Sequence, residues 1–278
     1  MKILVCCHKQ DLCYRTASFY PIHVGKSCSV EDLGIPGDDT GDNISYKNQS
    51  YCELTGLYWA WKNLKDVDVV GLCHYRRYFD FYNQCKFGFP LTEFDKDVFD
   101  SKKKDVPDNL IKKVCDGSVI LPKKNTVSPL FIQYAIHHRS EDLNKLRKVI
   151  AEGHDRKYVE AFDTFFYHNN KISPFNMFIM RWDMFCDYCT WLFDVISRFE
   201  KVTELTSYDS YQARLYGFVA ERLLNVYVNA NELDVIEKPI MSFTDDKTMF
   251  GRTNNYLFYF LSCKVKDFYN FLSCHLSL

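Results

Sequence analysis

The sequence lacks a surplus of charge of either sign. Its 278 residues carry 35 Lys and Arg against 36 Asp and Glu, a formal net charge of −1. A nucleic-acid-binding protein needs a basic surplus or a basic stripe to neutralise phosphates, so this balance argues against that class of protein. The sequence also has no internal repeat and no low-complexity linker. We therefore expect one folded domain over residues 1–250, long enough to bury a real core.

The twelve cysteines lack the spacing of a disulfide framework or of a zinc site. Cys6-Cys7 and the pair Cys186 and Cys189 lie inside apolar runs, and a zinc site would need two more ligands at supporting spacing. Met1 and Lys2 lead straight into an apolar run that is too short for a secretory signal. We expect a cytoplasmic chain whose reduced cysteines pack as small hydrophobes.

Aromatic residues are abundant: 23 Phe, 19 Tyr and 4 Trp make up 17% of the chain. Tyr and Trp have an apolar face and a polar tip, which suits sugars and nucleotides as ligands. The same residues also build ordinary cores, so composition alone leaves both interpretations open.

Apolar runs alternate with stretches of helical spacing. Strands are predicted at residues 2–7, 68–73, 118–121 and, interrupted by Pro174, 172–180; helices are predicted at 45–63, 130–153, 158–168, 184–199 and 208–227. In the first helix, Ser50 and Glu53 have the spacing of a capping box. Lys102, Lys103 and Lys104 are expected on a solvated face. The alternation predicts an α/β fold with a largely parallel or mixed sheet.

A basic cluster follows the second predicted strand. His74, Arg76 and Arg77 come directly after a buried run, at the carboxyl end of a strand, where open α/β sheets bind phosphates. Guanidinium groups bind phosphate oxygens in bidentate pairs. The alternative is that the two arginines pair with the loop acids Asp38, Asp39 and Asp42.

Two further segments carry candidate ligands for a nucleotide. His8 and Lys9 follow the first predicted strand, and Asp42, Asn43 and Lys47 lie in or beside a Gly- and Asp-rich loop. Loops held on a rigid scaffold commonly carry function, so these five side chains are candidate donor contacts.

Four blocks of the sequence resemble a family of bacterial glycosyltransferases from capsule, exopolysaccharide and O-antigen gene clusters. The blocks are GDNISYKNQSYCELTGLYWAWKN with VGLCHYRRYF (residues 41–79), ILPKK (120–124), SPFNMFIMRWDMFCDYCTWLF (173–193) and RLYGFVAERLLNVYV (214–228). Members include enzymes that transfer galactofuranose from a UDP donor. The resemblance implies a glycosyltransferase type A, Rossmann-like nucleotide-sugar fold with a sheet flanked by helices.

Metal-dependent enzymes of that type carry Asp-x-Asp at the end of a central strand, whereas this strand ends in His74-Tyr75-Arg76. We expect the guanidinium groups to neutralise the leaving UDP in place of a metal ion. Asp66-x-Asp68 precedes the strand, at the wrong end for a donor site. Metal independence is the favoured expectation, and a requirement for Mg or Mn stays open.

The resemblance also suggests residues for the sugar. Asn176 is a candidate hydroxyl contact, or else a turn residue that caps its strand. An inverting transfer needs a group that removes the acceptor proton. Glu221, Asp183 and His138 are the candidates for this base, although Glu221 could equally pair with Arg222 or Arg214.

The last segment, residues 251–278, is an aromatic tail interrupted by lysines and is too short to span a bilayer. It either lies on a membrane surface or docks on the body of the protein. The sequence therefore predicts a cytoplasmic enzyme, either free or at the inner face of the cell membrane. It would move a hexosyl unit such as galactose or galactofuranose from a UDP-sugar to a glycan or lipid-linked glycan. The alternative is a non-catalytic nucleotide- or carbohydrate-binding module.

Overall fold

The computed structural model describes residues 1–85 and 89–245. Nine strands of this part of the chain form one mixed sheet, and two short strands form a separate pair. The nine are β1 (Lys2–Cys7), β2 (Phe19–His23), β3 (Val69–His74), β4 (Arg77–Phe79), β5 (Leu91–Asp95), β6 (Val119–Pro122), β9 (Phe178–Arg181), β10 (Val235–Lys238) and β11 (Ile240–Thr244); the pair is β7 (Asn125–Thr126) with β8 (Lys171–Ile172).

Eight α-helices lie between the strands in the described ranges: α1 (Asn48–Tyr51), α2 (Leu54–Asn63), α3 (Asp108–Cys115), α4 (Leu130–His137), α5 (Ser140–Gly153), α6 (Arg156–His168), α7 (Trp182–Lys201) and α8 (Leu215–Ala230). Short 3₁₀ turns at Lys26–Cys28, Ser45–Lys47, Lys96–Val98 and Gln212–Arg214 complete the connections. None of the helices in the described chain is long and apolar enough to cross a membrane.

The centre of the sheet brings two carboxyl ends together. β1 runs parallel to β2 and β3, and its register places Cys6 opposite His74. β9 is antiparallel to both β3 and β6, while β10 runs parallel to β6. The residues that follow β1 and β3 therefore leave the sheet at the same edge, as the sequence pattern predicts for a ligand site.

A second group of strands extends the sheet beyond that edge. β4 folds back antiparallel on the end of β3, where Arg77 pairs with His74. β11 then pairs antiparallel with β4 and parallel with β5. Because β4 begins only two residues after β3, the sheet curls there, and the basic cluster lies on the bend.

Many of the aromatic side chains that the structure describes are buried in the core. Of the twelve largest fully buried side chains in the described chain, eleven are Phe or Tyr, among them Phe162, Phe166 and Phe185. The twelfth is Lys104, which is 1% exposed. The expectation that Lys104 lies on a solvated face is therefore wrong.

Lys104 is enclosed by the second group of strands. Its Nζ donates to the carbonyls of Phe99 and Lys102, and it lies 3.9 Å from the Phe99 ring centroid. The rings of Tyr14, Tyr78 and Phe243 surround the same ammonium group at 4.9–5.9 Å. Burial lowers the pKa of Lys104 to about 8.

Two predicted helices are interrupted. The helix expected at 45–63 breaks at Cys52, whose φ of 52° is left-handed, so Ser50 lies inside α1 and donates to the Lys47 carbonyl instead of capping. The helix expected at 130–153 divides into α4 and α5. The predicted tail at 251–278 lies outside the described residues, and so does the end of the predicted 1–250 domain.

Candidate functional site

A cavity of about 580 Å³ opens at the shared carboxyl ends of β1 and β3. The strand ends supply one wall, the break between α1 and α2 supplies a second, and the first turns of α8 supply a third. The polar side chains that line it are His8, His74, Arg76, Arg77, Asn48, Gln49, Glu53, Arg214 and Glu221. Five of these were candidates from the sequence: His8, His74, Arg76, Arg77 and Glu221.

Arg76 and Arg77 give the strand-end wall its positive charge. The Arg76 guanidinium lies 4.9 Å from the Tyr75 ring centroid, and that of Arg77 lies 4.5 Å from the Phe175 ring centroid. No carboxylate in the described ranges approaches either group within 4.0 Å. Burial lowers the pKa of Arg77 below its usual value, and the carboxylates of Glu221 and Glu53 only partly oppose this shift.

The loop acids do not pair with these arginines. Asp38 is fully buried and accepts hydrogen bonds from the backbone amides of Gly25 and Lys26 and from the Ser45 hydroxyl. Its carboxylate therefore holds its own loop together. The alternative in which acids of this loop neutralise Arg76 and Arg77 is not found.

His74 and His8 both have lowered pKa values, which favours their neutral forms. His74 Nε2 lies 2.7 Å from the Phe175 carbonyl oxygen, so this nitrogen donates its proton. Burial, with Arg77 beside it, lowers the His74 pKa to about 4. Burial also lowers the pKa of His8, helped by the charges of Lys9 and Arg76, and its ring meets that of Tyr75 edge-on at 5.3 Å.

Backbone strain is concentrated around the cavity. Six non-glycine residues of the described chain have positive φ, and Cys52, Phe175 and Asn176 among them adjoin this site. The Phe175–Asn176 turn is held by Glu221, whose Oε1 accepts the Phe175 amide proton at 2.9 Å. Such conformations cost about 1–3 kcal/mol each and cluster at functional sites.

Glu53 is a carboxylate that sequence analysis assigned only to helix capping. It follows the strained Cys52 and faces the cavity, where Asn176 Nδ2 donates to its Oε1 at 3.3 Å. Burial raises the pKa of Glu53 to about 7. Asn176 itself is 0% exposed, and its Oδ1 has no hydrogen-bond partner in the described structure.

Helix α8 reaches the cavity because it carries Gly217. A Cβ at this position would lie 2.8 Å from Cys52 Sγ and 3.0 Å from Cys52 Cβ, so only glycine permits this close approach. Arg214 and Glu221 are thereby brought beside the α1–α2 break. Arg214 Nε donates to Cys52 Sγ at 3.3 Å, and Glu221 Oε2 lies 3.3 Å from Arg222.

The other candidates from the sequence do not line the cavity. Asp42 accepts from the Tyr58 hydroxyl, Lys47 pairs with Glu200 at 2.7 Å, and Asp183 is exposed and paired with Arg181. Asn43 binds within its own loop, Lys9 is exposed, and His138 lies behind Phe218 with ring centroids 4.3 Å apart. Four polar cavity side chains, those of Glu53, Arg214, Asn48 and Gln49, were not predicted as ligand contacts from the sequence.

The described chain gathers no group of three or more His, Cys, Asp or Glu side chains that could hold a metal ion. Asp66 and Asp68 precede β3, at the opposite end of that strand from the cavity, and Asp245 pairs with Lys96 at 2.7 Å. The cysteines of the same ranges are free thiols, and Cys6, Cys73 and Cys189 are buried.

The structure is thus a mixed α/β protein whose curled sheet carries a cationic cavity at the carboxyl ends of its central strands. The sequence matches the model of the Domain of unknown function (DUF4422) family over residues 2–232, and the chain belongs to that family. No functionally curated protein matches it.

A solved structure adds a named relative. The chain is similar to the apo structure of the bifunctional glycosyltransferase WbbM, with 31% sequence identity and a TM-score of 0.77. The match covers 87% of this chain and 45% of WbbM, so the chain spans less than half of that protein. The expected mixed α/β fold is confirmed, and the resemblance to glycosyltransferases has a structural counterpart.

Proposed function

We propose that this protein is a type A, Rossmann-like glycosyltransferase that moves a hexosyl unit from a UDP-sugar to a glycan or lipid-linked glycan. The observation that carries the proposal is the strand-end wall of the cavity, where Arg76 and Arg77 form no ion pair with any carboxylate of the described chain. Uncompensated guanidinium groups in a concave site are suited to a diphosphate. The similarity to WbbM supports the reaction class.

The arginines would bind the diphosphate of the donor and stabilise its departure. As the bond between the anomeric carbon and the phosphate oxygen breaks, UDP leaves with the electron pair and gains negative charge. Fixed cations aimed at that oxygen lower the barrier, because they are already oriented when the charge develops. We propose that this arrangement replaces a divalent cation, and galactose or galactofuranose is the donor sugar that the family resemblance suggests.

Two carboxylates, Glu53 and Glu221, line the cavity that would hold an acceptor hydroxyl. Glu221 already accepts the Phe175 amide proton, and its other oxygen faces Arg222. Glu53 accepts from Asn176 and from its own backbone amide, and burial nevertheless raises its pKa to about 7. A general base works best when its pKa lies near the working pH. We therefore assign proton removal to Glu53, and to Glu221 the positioning of the Phe175–Asn176 turn.

The acceptor oxygen forms a bond to the anomeric carbon, its proton passes to the Glu53 carboxylate, and UDP departs. Asn176, placed behind Glu53, would orient the carboxylate rather than touch the sugar. Asp183 and His138, which do not line the cavity, are left out of this scheme.

A screen for nucleotide release tests the proposal. UDP-, GDP- and CMP-sugars are incubated with the protein and a panel of glycan acceptors, with and without EDTA. We expect UDP release from a UDP-hexose, undiminished by the chelator. Loss of release in EDTA would contradict the arginine model and favour Mg or Mn. Binding of UDP without release from any donor would instead identify a non-catalytic binding module.

A further inference from the structure

Three aromatic rings form a shelf that runs from the cavity to the surface. Phe218 lines the cavity, and its ring centroid lies 5.1 Å from that of Tyr211 and 4.3 Å from that of His138. The rings of His138 and Tyr211 are nearly parallel, at 12° and 6.0 Å. We call Tyr211, Phe218 and His138 the ring shelf.

The outer end of the ring shelf faces solvent. Tyr211 is 51% exposed, so a large part of its apolar ring face is open to solvent. An exposed aromatic surface that continues the wall of a cavity is typical of a ligand-binding site.

The ring shelf is held in place without a ligand. Asp209 Oδ1 accepts the backbone amides of Tyr211 and Gln212 at 2.9 and 2.8 Å. Gln212 Oε1 lies within hydrogen-bond distance of His138 Nδ1, at 3.2 Å, and Gln212 Nε2 donates to the His137 carbonyl at 2.7 Å. A surface fixed in advance binds more tightly, because less side-chain freedom is lost when the ligand arrives.

The ring shelf is also uncharged at neutral pH. Burial, with Arg222 nearby, lowers the pKa of His138 to about 4. His138 therefore presents a neutral ring, and the shelf offers aromatic faces bordered by the guanidinium of Arg214, 5.4 Å from the Phe218 centroid. Such a surface suits a neutral ring-shaped ligand with an apolar face, as a pyranose or furanose has.

The position of the shelf favours the acceptor over the uracil of the donor. Phe218 precedes Glu221 by three residues, so both lie on one face of α8 and line the cavity together. An acceptor hydroxyl must reach the carboxylates, whereas the diphosphate arginines Arg76 and Arg77 lie on the strand-end wall. That wall has its own ring pair, His8 with Tyr75, for a nucleobase.

We propose that the ring shelf is the acceptor subsite, where the sugar ring of the acceptor stacks on Tyr211 and Phe218 and directs a hydroxyl toward Glu53. This inference rests on the proposed function. It assigns the acceptor as a carbohydrate recognised through the apolar face of its terminal ring.

Saturation-transfer NMR with methyl hexopyranosides and hexofuranosides of galactose, glucose and mannose, in the presence of UDP, tests the subsite. UDP affinity of the wild-type protein is measured first by calorimetry; absence of UDP binding would reject the proposed function whatever the hexosides do. With UDP bound, we expect at least one methyl hexoside to bind the wild type. Tyr211→Ala should weaken that hexoside about three- to tenfold, the effect of losing one ring contact.

Matched variants separate the ring from its surroundings. Tyr211→Phe keeps the stacking surface and should retain binding within twofold. Tyr167→Ala removes another exposed aromatic, 39% exposed and packed on Phe131, and should change nothing. Two results would overturn the assignment. In the first, the wild-type protein binds UDP but no methyl hexoside. In the second, Tyr211→Ala loses UDP affinity while hexoside binding persists, which would assign the ring shelf to uracil.

Discussion

The buried Lys104 and the cavity pair Arg76 and Arg77 all lie beside aromatic rings, but they differ in what satisfies their charge. Lys104 is 1% exposed and donates to the carbonyls of Phe99 and Lys102 inside a shell of four rings. Arg76 and Arg77 also touch rings, but no carboxylate of the described chain lies within 4.0 Å of them. A cation with internal partners serves the fold, whereas one left without them in a cavity is available to a ligand.

The largest expected effect is a loss of turnover when Glu53, the proposed base in the cavity that Arg76 and Arg77 line, is replaced. Glu53→Gln removes the proposed base while keeping the side chain's shape and its contact with Asn176. We expect turnover to fall about 10²- to 10⁴-fold, the usual contribution of general base catalysis, with UDP affinity unchanged. Steady-state kinetics and UDP titration measure the two quantities.

The pH dependence provides the check on that variant. A base of pKa about 7 must be deprotonated, so wild-type turnover should rise as pH increases through 7. Between about pH 4.3 and 7 the native state binds more protons than the unfolded state, so the contribution of Glu53 to the unfolding free energy falls as pH rises. Glu53→Gln should lack this decline. A turnover profile flat from pH 6 to 8 in the wild type would contradict the assignment of Glu53.

The next largest expected effect is a loss of stability when the buried Lys104 is replaced. Lys104→Ala removes a side chain packed against four rings and leaves a cavity, so we expect the unfolding free energy to fall by about 2–4 kcal/mol. Because Lys104 serves the fold, UDP affinity of the folded variant should stay within twofold. Urea denaturation and calorimetry measure both; a loss of UDP affinity without a loss of stability would erase the distinction between the two basic groups.

A smaller effect is expected from the titration of Lys104. Its pKa of about 8 lies below the usual value, so between about pH 8 and 10.4 the unfolded state binds the extra proton. The stability contributed by this site should therefore rise with pH across that window. Lys104→Met cannot titrate, so the difference in unfolding free energy between wild type and Lys104→Met should shift in favour of the wild type from pH 8 to 10. A difference independent of pH would contradict the burial of a titrating ammonium group.

Sequence reasoning succeeded where the signal was local. The apolar runs at 2–7 and 68–73 are the strands β1 and β3, and polar residues directly after buried strands had to leave at one edge of a parallel pair. That is why the sequence predicts His74, Arg76 and Arg77 as phosphate ligands and His8 and Lys9 as nucleotide ligands at strand ends, although only His8 of the second pair lines the cavity. Glu221 was also found, through the family resemblance, although its contacts could not be foreseen.

Sequence reasoning failed where residues far apart in the chain determine the surroundings of a side chain. Lys104 looks like any lysine in a run of three, since the rings that enclose it come from residues 14, 78, 99 and 243. The sequence pattern predicts Glu53 as a helix-capping partner, because no pattern reveals the positive φ of Cys52 that ends α1 just before it. β4 and β5 were missed because the first is three residues long and the second, LTEFD, alternates with charges.

The most direct test of the account is the UDP affinity of Arg76→Ala, measured by isothermal titration calorimetry beside Arg181→Ala. Arg181 is a matched surface control, since it pairs with Asp183 and lies outside the cavity. We predict that Arg76→Ala loses at least about tenfold in UDP affinity, the contribution of a charged hydrogen bond, while its stability changes by less than about 0.5 kcal/mol. Arg181→Ala should bind UDP as the wild type does. Equal UDP affinity in the wild type and Arg76→Ala would contradict the claim that the uncompensated arginines hold the diphosphate.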